Sequence, residues 1–251
     1  MANEKSGLTG DVQNDELYTK FSDVEQEMAA YIEYNPDVFR DKTILLPCDN
    51  PQKSSFTKFF ARNFEKFGLK KLISTTAADD YKNKDKTHQK TFFNDETPVY
   101  TLNLAKIRGK IFTLDRDSYI KGLFDIGDPE WLYSEDNGDF RSGEITNFRD
   151  EADIIITFPP CSLFKEFILW LFEAEKKFII IGTQNCLEDE EISSLIKNGK
   201  MWLGKTDCRD GMWFETFSDN DFDKEEVGTN MKKVSAFWLT NIEHTGRKQT
   251  V

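Results

Sequence analysis

Histidine and cysteine are scarce in this chain of 251 residues, which holds two histidines, His88 and His244, and four cysteines, Cys48, Cys161, Cys186 and Cys208. None of them falls at a metal-ligand spacing, which argues against a zinc site. The cysteines are too few and too irregular for a disulfide framework, so a reducing, cytoplasmic compartment is expected. No apolar run approaches the roughly 20 residues that span a bilayer, and Met1-Ala2-Asn3-Glu4-Lys5 carries no signal-peptide core. Positive charge is also short: 33 Lys and Arg stand against 45 Asp and Glu, a net charge of −12. Broad, non-specific duplex binding needs clustered cations and is disfavoured. One basic stretch, Lys82, Lys84, Lys86 and Lys90 around His88, is diluted by Asp79, Asp80 and Asp85. It reads as a solvated loop before it reads as a nucleic-acid contact.

What the chain does have is apolar bulk, with 22 phenylalanines and 38% hydrophobic residues, enough for the core of one large domain. Residues 1–14 are polar and expected to be disordered. Residues 15–251 are expected to fold together. A helix is predicted from about Ser22 to Tyr34, ended by Asn35-Pro36. Thr43 to Cys48 reads as a buried strand that stops at Asp49-Asn50-Pro51. Ser54 or Ser55 then caps a helix carrying Phe56, Phe59, Phe60, Phe64 and Phe67, closed by Gly68. Leu69 to Thr76 returns as a second strand, and the crossover length implies parallel pairing. Residues 79–98 read as a polar excursion. Val99–Leu104 and Lys110–Leu114 are predicted to form a hairpin around Gly109, and residues 115–151 to be rich in turns.

The segment Asp153-Ile154-Ile155-Ile156-Thr157-Phe158-Pro159-Pro160-Cys161 concentrates the chemical signal. A β-branched run long enough to cross a sheet buried on both faces ends in two prolines, which stop the ladder and stiffen the turn. An amphipathic helix from about Ser162 to Glu173 follows, then a strand over Lys177–Gly182 and a helix near Glu188–Lys197. Strand, stiff turn and helix is where open α/β folds place ligands, at a strand's carboxyl end. The strands Lys200–Leu203, Gly211–Phe217 and Val234–Thr240 are predicted to be antiparallel. The fold class expected is α/β, a mostly parallel Rossmann-like sheet finishing in antiparallel strands.

With these segments in order, the chain resembles the EcoRI-type adenine-specific DNA methyltransferases from about Asp15 to His244. The resemblance is carried by Asp15-Glu16-Leu17-Tyr18-Thr19, by Cys48-Asp49-Asn50-Pro51 with Ser55-Phe56, and by Gly138-Asp139-Phe140-Arg141-Ser142. Pro159-Pro160 with Ser162-Leu163-Phe164, Ile179-Ile180-Ile181-Gly182 with Gln184-Asn185, Trp202-Leu203-Gly204 and Trp238-Leu239-Thr240-Asn241 extend it. It implies an S-adenosylmethionine methyltransferase fold, that cofactor, and DNA or a protein as partner. It also implies that Tyr18 and Thr19, then Asp49, Asn50 and Pro51, then Asp139 and Phe140, lie against the cofactor. Read without it, Asp49-Asn50-Pro51 is a tight turn with a helix start, and Tyr18 a core aromatic. Family members run on past the Trp-x-Thr-Asn strand, so part of the DNA-recognition surface is expected to lie outside this chain.

The resemblance implies Asn-Pro-Pro-Phe at the catalytic turn, formed here by Phe158, Pro159, Pro160 and Cys161. The family's asparagine accepts hydrogen bonds from the target amine and aims its lone pair at the methyl donor. Its aromatic residue stacks on the flipped-out base, worth ~1–3 kcal/mol. Phe158 accepts no hydrogen bond and Cys161 offers little stacking surface. A methyltransferase with an altered motif and an inactive homologue with a binding, regulatory or anti-restriction role are both compatible with this. A further alternative comes from the Pro-Cys turn of cytosine carbon-5 methyltransferases, in which Cys161 would be the nucleophile. That chemistry needs a carboxylic acid, absent from Thr183-Gln184-Asn185, and Glu166 on the following helix is a poor substitute.

Overall fold

The computed structural model describes residues 17–78, 108–120, 131–206, 208–216 and 230–247. The expected disorder of 1–14, the polar excursion at 79–98 and the strand expected at Val99–Leu104 lie outside them. Four strands make a parallel centre: β2 (Thr43–Leu46), β3 (Lys71–Thr76), β6 (Ile154–Thr157) and β7 (Lys177–Thr183). β2 pairs with both β3 and β6, and β6 pairs with β7, all in parallel. The runs read as strands from Thr43 and from Asp153 are thus neighbours at the centre of the sheet, although β2 stops at Leu46, short of the expected Cys48. Antiparallel strands flank both sides. β4 (Lys110–Asp115) and β5 (Leu132–Tyr133) extend the β3 edge, while β11 (Ala236–Thr240) and β8 (Trp202–Leu203) extend the β7 edge. The order is β5-β4-β3-β2-β6-β7-β11-β8.

Both faces of the four central strands are buried, and their period-two alternation divides the side chains between two cores. Ile44, Leu46, Ile154, Ile156, Ile179 and Ile181 face one of them. It is covered by α1 (Phe21–Tyr34), α2 (Ser55–Arg62) and α3 (Phe64–Phe67). Leu45, Ile155, Phe178 and Ile180 face the other. That one is covered by α5 (Gly143–Glu151), α6 (Phe164–Glu173) and α8 (Glu190–Lys197). Two shorter helices, α4 (Arg116–Ile120) and α7 (Gln184–Leu187), complete the set among the described residues. The predicted caps are present: the Ser54 hydroxyl accepts the N–H groups of Phe56 and Thr57, and Gly68 closes α3 at φ 63°.

Three expectations need correction. Lys110–Asp115 pairs antiparallel with β3 and β5. Gly109 sits against Gly138, and a Cβ on Gly109 would lie 2.5 Å from the Thr76 carbonyl oxygen. This glycine contact brings residues 138–141 to the end of β3. Residues 115–151, expected to be turns, contain α4, β5 and α5. α5 buries little more than Ile145 and Arg149, so its apolar stripe is faint, and Ser142 as its cap was the usable signal. Finally, β9 (Met212–Thr216) leaves the main sheet. It pairs antiparallel with β1 (Leu17–Thr19) and with β10 (Asn230–Val234), forming a second, three-stranded sheet. The single strand expected at Val234–Thr240 is broken at Ser235, whose carbonyl accepts the Gln184 N–H, so its two halves serve different sheets.

α1 is tied to the far edge by one buried carboxylate. Glu27, with no exposed surface, accepts the N–H groups of Lys205 at 2.9 Å and Thr206 at 2.8 Å and the Tyr31 hydroxyl at 3.0 Å. Glu27→Ala removes the acceptor of one buried and two partly buried donors, and a loss of about 3 kcal/mol is expected in urea denaturation. An unchanged midpoint would show that water replaces the carboxylate.

Candidate functional site

At the carboxyl end of β2 the chain turns through Pro47 and Cys48, the latter at φ 67°, a conformation uncommon for a residue with a Cβ. The turn is held from below. The Asp49 N–H donates to the Thr75 carbonyl at 2.8 Å, and the Ser74 hydroxyl donates to the Asp49 carbonyl at 3.0 Å. Thr57 donates to Ser74 at 2.8 Å, so α2, β3 and the turn share one chain of hydroxyls. The Asp49 side chain points inward and is 8% exposed. Its carboxylate meets the Ser54 hydroxyl at 3.0 Å and the Thr157 hydroxyl at 2.7 Å. Burial pushes its pKa up to about 7, with the Thr157 and Ser54 hydrogen bonds opposing the rise.

The Thr157 hydroxyl also meets the Pro47 carbonyl, so the end of β6 touches both the start of the turn and the Asp49 carboxyl. The first turn of the expected cofactor site is therefore joined to the end of β6 through a carboxyl that holds its proton up to about pH 7.

The Pro-Pro turn begins one residue later. Phe158, half-buried, stacks on Phe214 of β9 at 5.1 Å between centroids with 29° between planes. Pro159 is buried, while Pro160 and Cys161 are exposed. The Pro160 carbonyl accepts the Leu163 N–H at 3.0 Å, closing a 3₁₀ turn over Cys161–Leu163 before α6. The small sheet stands over this end of the large one. Thr19 of β1 lies opposite Phe214, and the Lys53 ammonium sits 5.7 Å above the Tyr18 ring. Tyr18, Thr19, the Asp49–Pro51 turn and Phe158 are thus brought to one side of the molecule.

Asp139 arrives at the end of β3 through the Gly109–Gly138 contact. Arg141 grips both of its carboxylate oxygens, at 2.7 and 2.8 Å, and reaches Glu166 of α6 at 3.2 Å. Phe140 is turned away, 2% exposed and packed edge-on against Phe167 and Trp170 at 5.1 and 5.4 Å. Any cofactor contact in this segment therefore falls to Asp139 and the backbone. Arg141 was not singled out by sequence reasoning, although its place two residues after an aspartate was a usable signal.

A cleft of about 360 Å³ opens at the ends of β6 and β7, lined among others by Cys161, Phe164, Lys165, Thr183, Cys186 and Asp189. None of Tyr18, Asp49, Pro51, Asp139 or Phe158 lines it. Cys186 also escaped sequence reasoning. Contact with Cys186, then burial, pushes the Cys161 thiol up; contact with Cys161 holds Cys186 down, helped by the Thr183 hydroxyl at 3.2 Å. A nucleophile needs the opposite at Cys161, so the carbon-5 reading loses support here. His244 is structural: its Nδ1 accepts the Gly246 N–H and Nε2 faces the Leu203 carbonyl, each at 3.1 Å. Among the described residues no group of three or more His, Cys, Asp or Glu is placed to hold a metal, and no helix is long and apolar enough to cross a membrane.

A parallel centre with β2 and β6 adjacent, helices on both faces and a Pro-Pro turn at the end of β6 defines the Rossmann-like methyltransferase class. Within that class the chain belongs to the family described as adenine-specific methyltransferase EcoRI, which it matches over residues 9–251. It is 34% identical to the Type II methyltransferase M.EcoRI of Escherichia coli over 192 residues, 76% of this chain and 52% of that protein. It is 28% identical to the Type II methyltransferase M.MpnI of Mycoplasma pneumoniae over 239 residues, 92% of this chain and 62% of that protein. With M.MgeORF184P of Mycoplasma genitalium, another Type II methyltransferase, identity is 29% over 240 residues, again 92% of this chain and 62% of the relative. The chain thus spans 52% to 62% of the length of these relatives. No solved structure matches it.

Proposed function

We propose that this chain binds S-adenosylmethionine beyond the ends of β2 and β3 and serves DNA modification, with an altered turn that leaves little methyl transfer to adenine. The observation that carries the reading is Phe158. At the position where the family places an amide acceptor, this chain has an aromatic ring seated on Phe214. Tyr18, Thr19, Asn50, Pro51 and Asp139 are the residues that would hold the cofactor. Two buried hydroxyls at this end, Thr19 Oγ1 and Thr75 Oγ1, have no hydrogen-bond partner among the described residues, which suits a ligand rich in hydroxyl and amine groups. Bound there, S-adenosylmethionine would supply an electrophilic methyl group. The protein's part is to keep one apolar and aromatic wall, Tyr18 with the Phe158–Phe214 stack, beside a few polar anchors.

Calorimetric titration with S-adenosylmethionine and S-adenosylhomocysteine tests the cofactor half of the proposal. Binding heat with both ligands, lost in Asp139→Ala, is the expected result. Absence of heat at millimolar ligand would transfer the family relationship to a scaffold or anti-restriction role that needs no cofactor. The kept fold and lost acceptor would then match a pseudoenzyme of a restriction-modification system.

A further inference from the structure

We propose that Cys161 and Cys186 form a hydroperoxide-sensitive dithiol, a modification site whose disulfide links the turns that follow β6 and β7. The proposal is independent of the cofactor reading. Its first basis is placement. β6 and β7 are parallel neighbours, with Thr157 opposite Ile180. Cys161 follows the first strand by four residues and Cys186 follows the second by three. Neighbouring strands lie about 4.8 Å apart, and a disulfide joins Cα atoms about 5.5–6 Å apart. That spacing is of the order a disulfide spans, and beyond the strand ends the two thiols are in contact with each other.

The second basis is the shared cleft. Both sulfurs line the same opening of about 360 Å³, large enough for hydrogen peroxide. Cys161 is exposed and Cys186 buried, which is the arrangement of a resolving thiol at the mouth and an attacking sulfur deeper in. None of the four cysteines is in a disulfide, so both thiols are available. Thr183 Oγ1, 3.2 Å from Cys186 Sγ, can donate to a thiolate there. The charged groups lining the cleft, Lys165 and Asp189, are paired with each other at 3.2 Å. The direction of the two thiol shifts agrees with this division of roles, since Cys186 is the sulfur held toward the thiolate.

The steps balance with hydrogen peroxide as oxidant. Cys186 thiolate attacks one peroxide oxygen, the O–O bond breaks, and the leaving hydroxide takes a proton to become water. Cys186 is then a sulfenic acid. The Cys161 sulfur attacks it, the S–S bond forms, and the sulfenic oxygen leaves as a second water with the Cys161 proton. Two thiols lose two hydrogens and one peroxide is reduced.

The test uses the unaltered full chain, so no variant has to fold for it to be read. The protein is treated with a small excess of hydrogen peroxide, remaining thiols are alkylated, and peptides are identified by mass spectrometry. The expected product is a Cys161–Cys186 linked pair lacking two hydrogens and released by dithiothreitol. It should form roughly tenfold or more faster than oxidation of Cys48 or Cys208. Those two are internal controls, packed against opposite cores. In Cys161→Ser a dimedone adduct should instead collect on Cys186. Oxidation of all four cysteines at similar rates overturns the proposal, and so does a disulfide that includes Cys48 or Cys208.

Discussion

Unaltered, the chain is expected to transfer little or no methyl group to adenine in duplex DNA. The acceptor that Phe158 replaces acts mainly when the amine nitrogen rehybridises toward the methyl donor, so the loss falls on turnover more than on cofactor affinity. One missing oriented hydrogen bond of this kind costs ~3 kcal/mol or more, roughly a hundredfold in rate. Backbone carbonyls of the turn remain, and Pro159 and Pro160 bring no N–H to compete for them. Replacing the aromatic residue by Cys161 removes base stacking in addition, so capture of a flipped base weakens too. The double variant Phe158→Asn with Cys161→Phe is expected to raise methyl incorporation by roughly a hundredfold. It also breaks the Phe158–Phe214 stack at 5.1 Å, worth about 0.5–1.5 kcal/mol, so the melting temperature should fall modestly while activity rises. Tritiated methyl incorporation into duplex DNA reads both proteins. Robust incorporation by the unaltered chain would falsify the argument from the turn.

The parts of this molecule that were legible in sequence are those whose burial is two-sided. Thr43–Leu46 and Ile154–Thr157 are buried at every position, and such runs have few alternatives to a central parallel strand. The phenylalanine spacing of α2 and the Ser54 and Gly68 caps were equally local. What was not legible depends on partners distant in sequence. Met212–Thr216 alternates well enough to be read as a strand, but one of its two partners is a three-residue strand at Leu17–Thr19, nearly two hundred residues away, and that pairing holds it in a separate sheet. At the site, the meeting of the β2 and β6 ends followed from topology, since ligand sites lie at the ends of adjacent strands. The inward turn of Asp49 did not follow, because it depends on Thr157 and Ser54 arriving from two other segments. Cys186 was missed for a similar reason. Its relation to Cys161 exists only once β6 and β7 are known to be neighbours.

Stability should fall as pH rises from about 4 to about 8, and Asp49 should account for much of the slope. Its pKa rises from 3.8 to about 7 on folding because burial penalises the charge. The folded state therefore binds a proton that the unfolded state has released across this window. The contribution is fully present below about pH 4 and is lost as pH climbs through about 7. A shift of this size corresponds to about 4 kcal/mol between the two ends of the window. Asp49→Asn keeps a carbonyl acceptor for the hydroxyls at this site and cannot ionise, so it imitates the neutral acid at every pH. Urea denaturation of both proteins at a series of pH values should give similar stabilities near pH 4 and a gap that widens toward pH 8, with the variant the more stable. Parallel curves would mean that Asp49 ionises in place, with solvent reaching the carboxylate. The turn after β2 would then be open at neutral pH, and the hydroxyls of Ser54 and Thr157 would be holding a charged group against the end of the sheet.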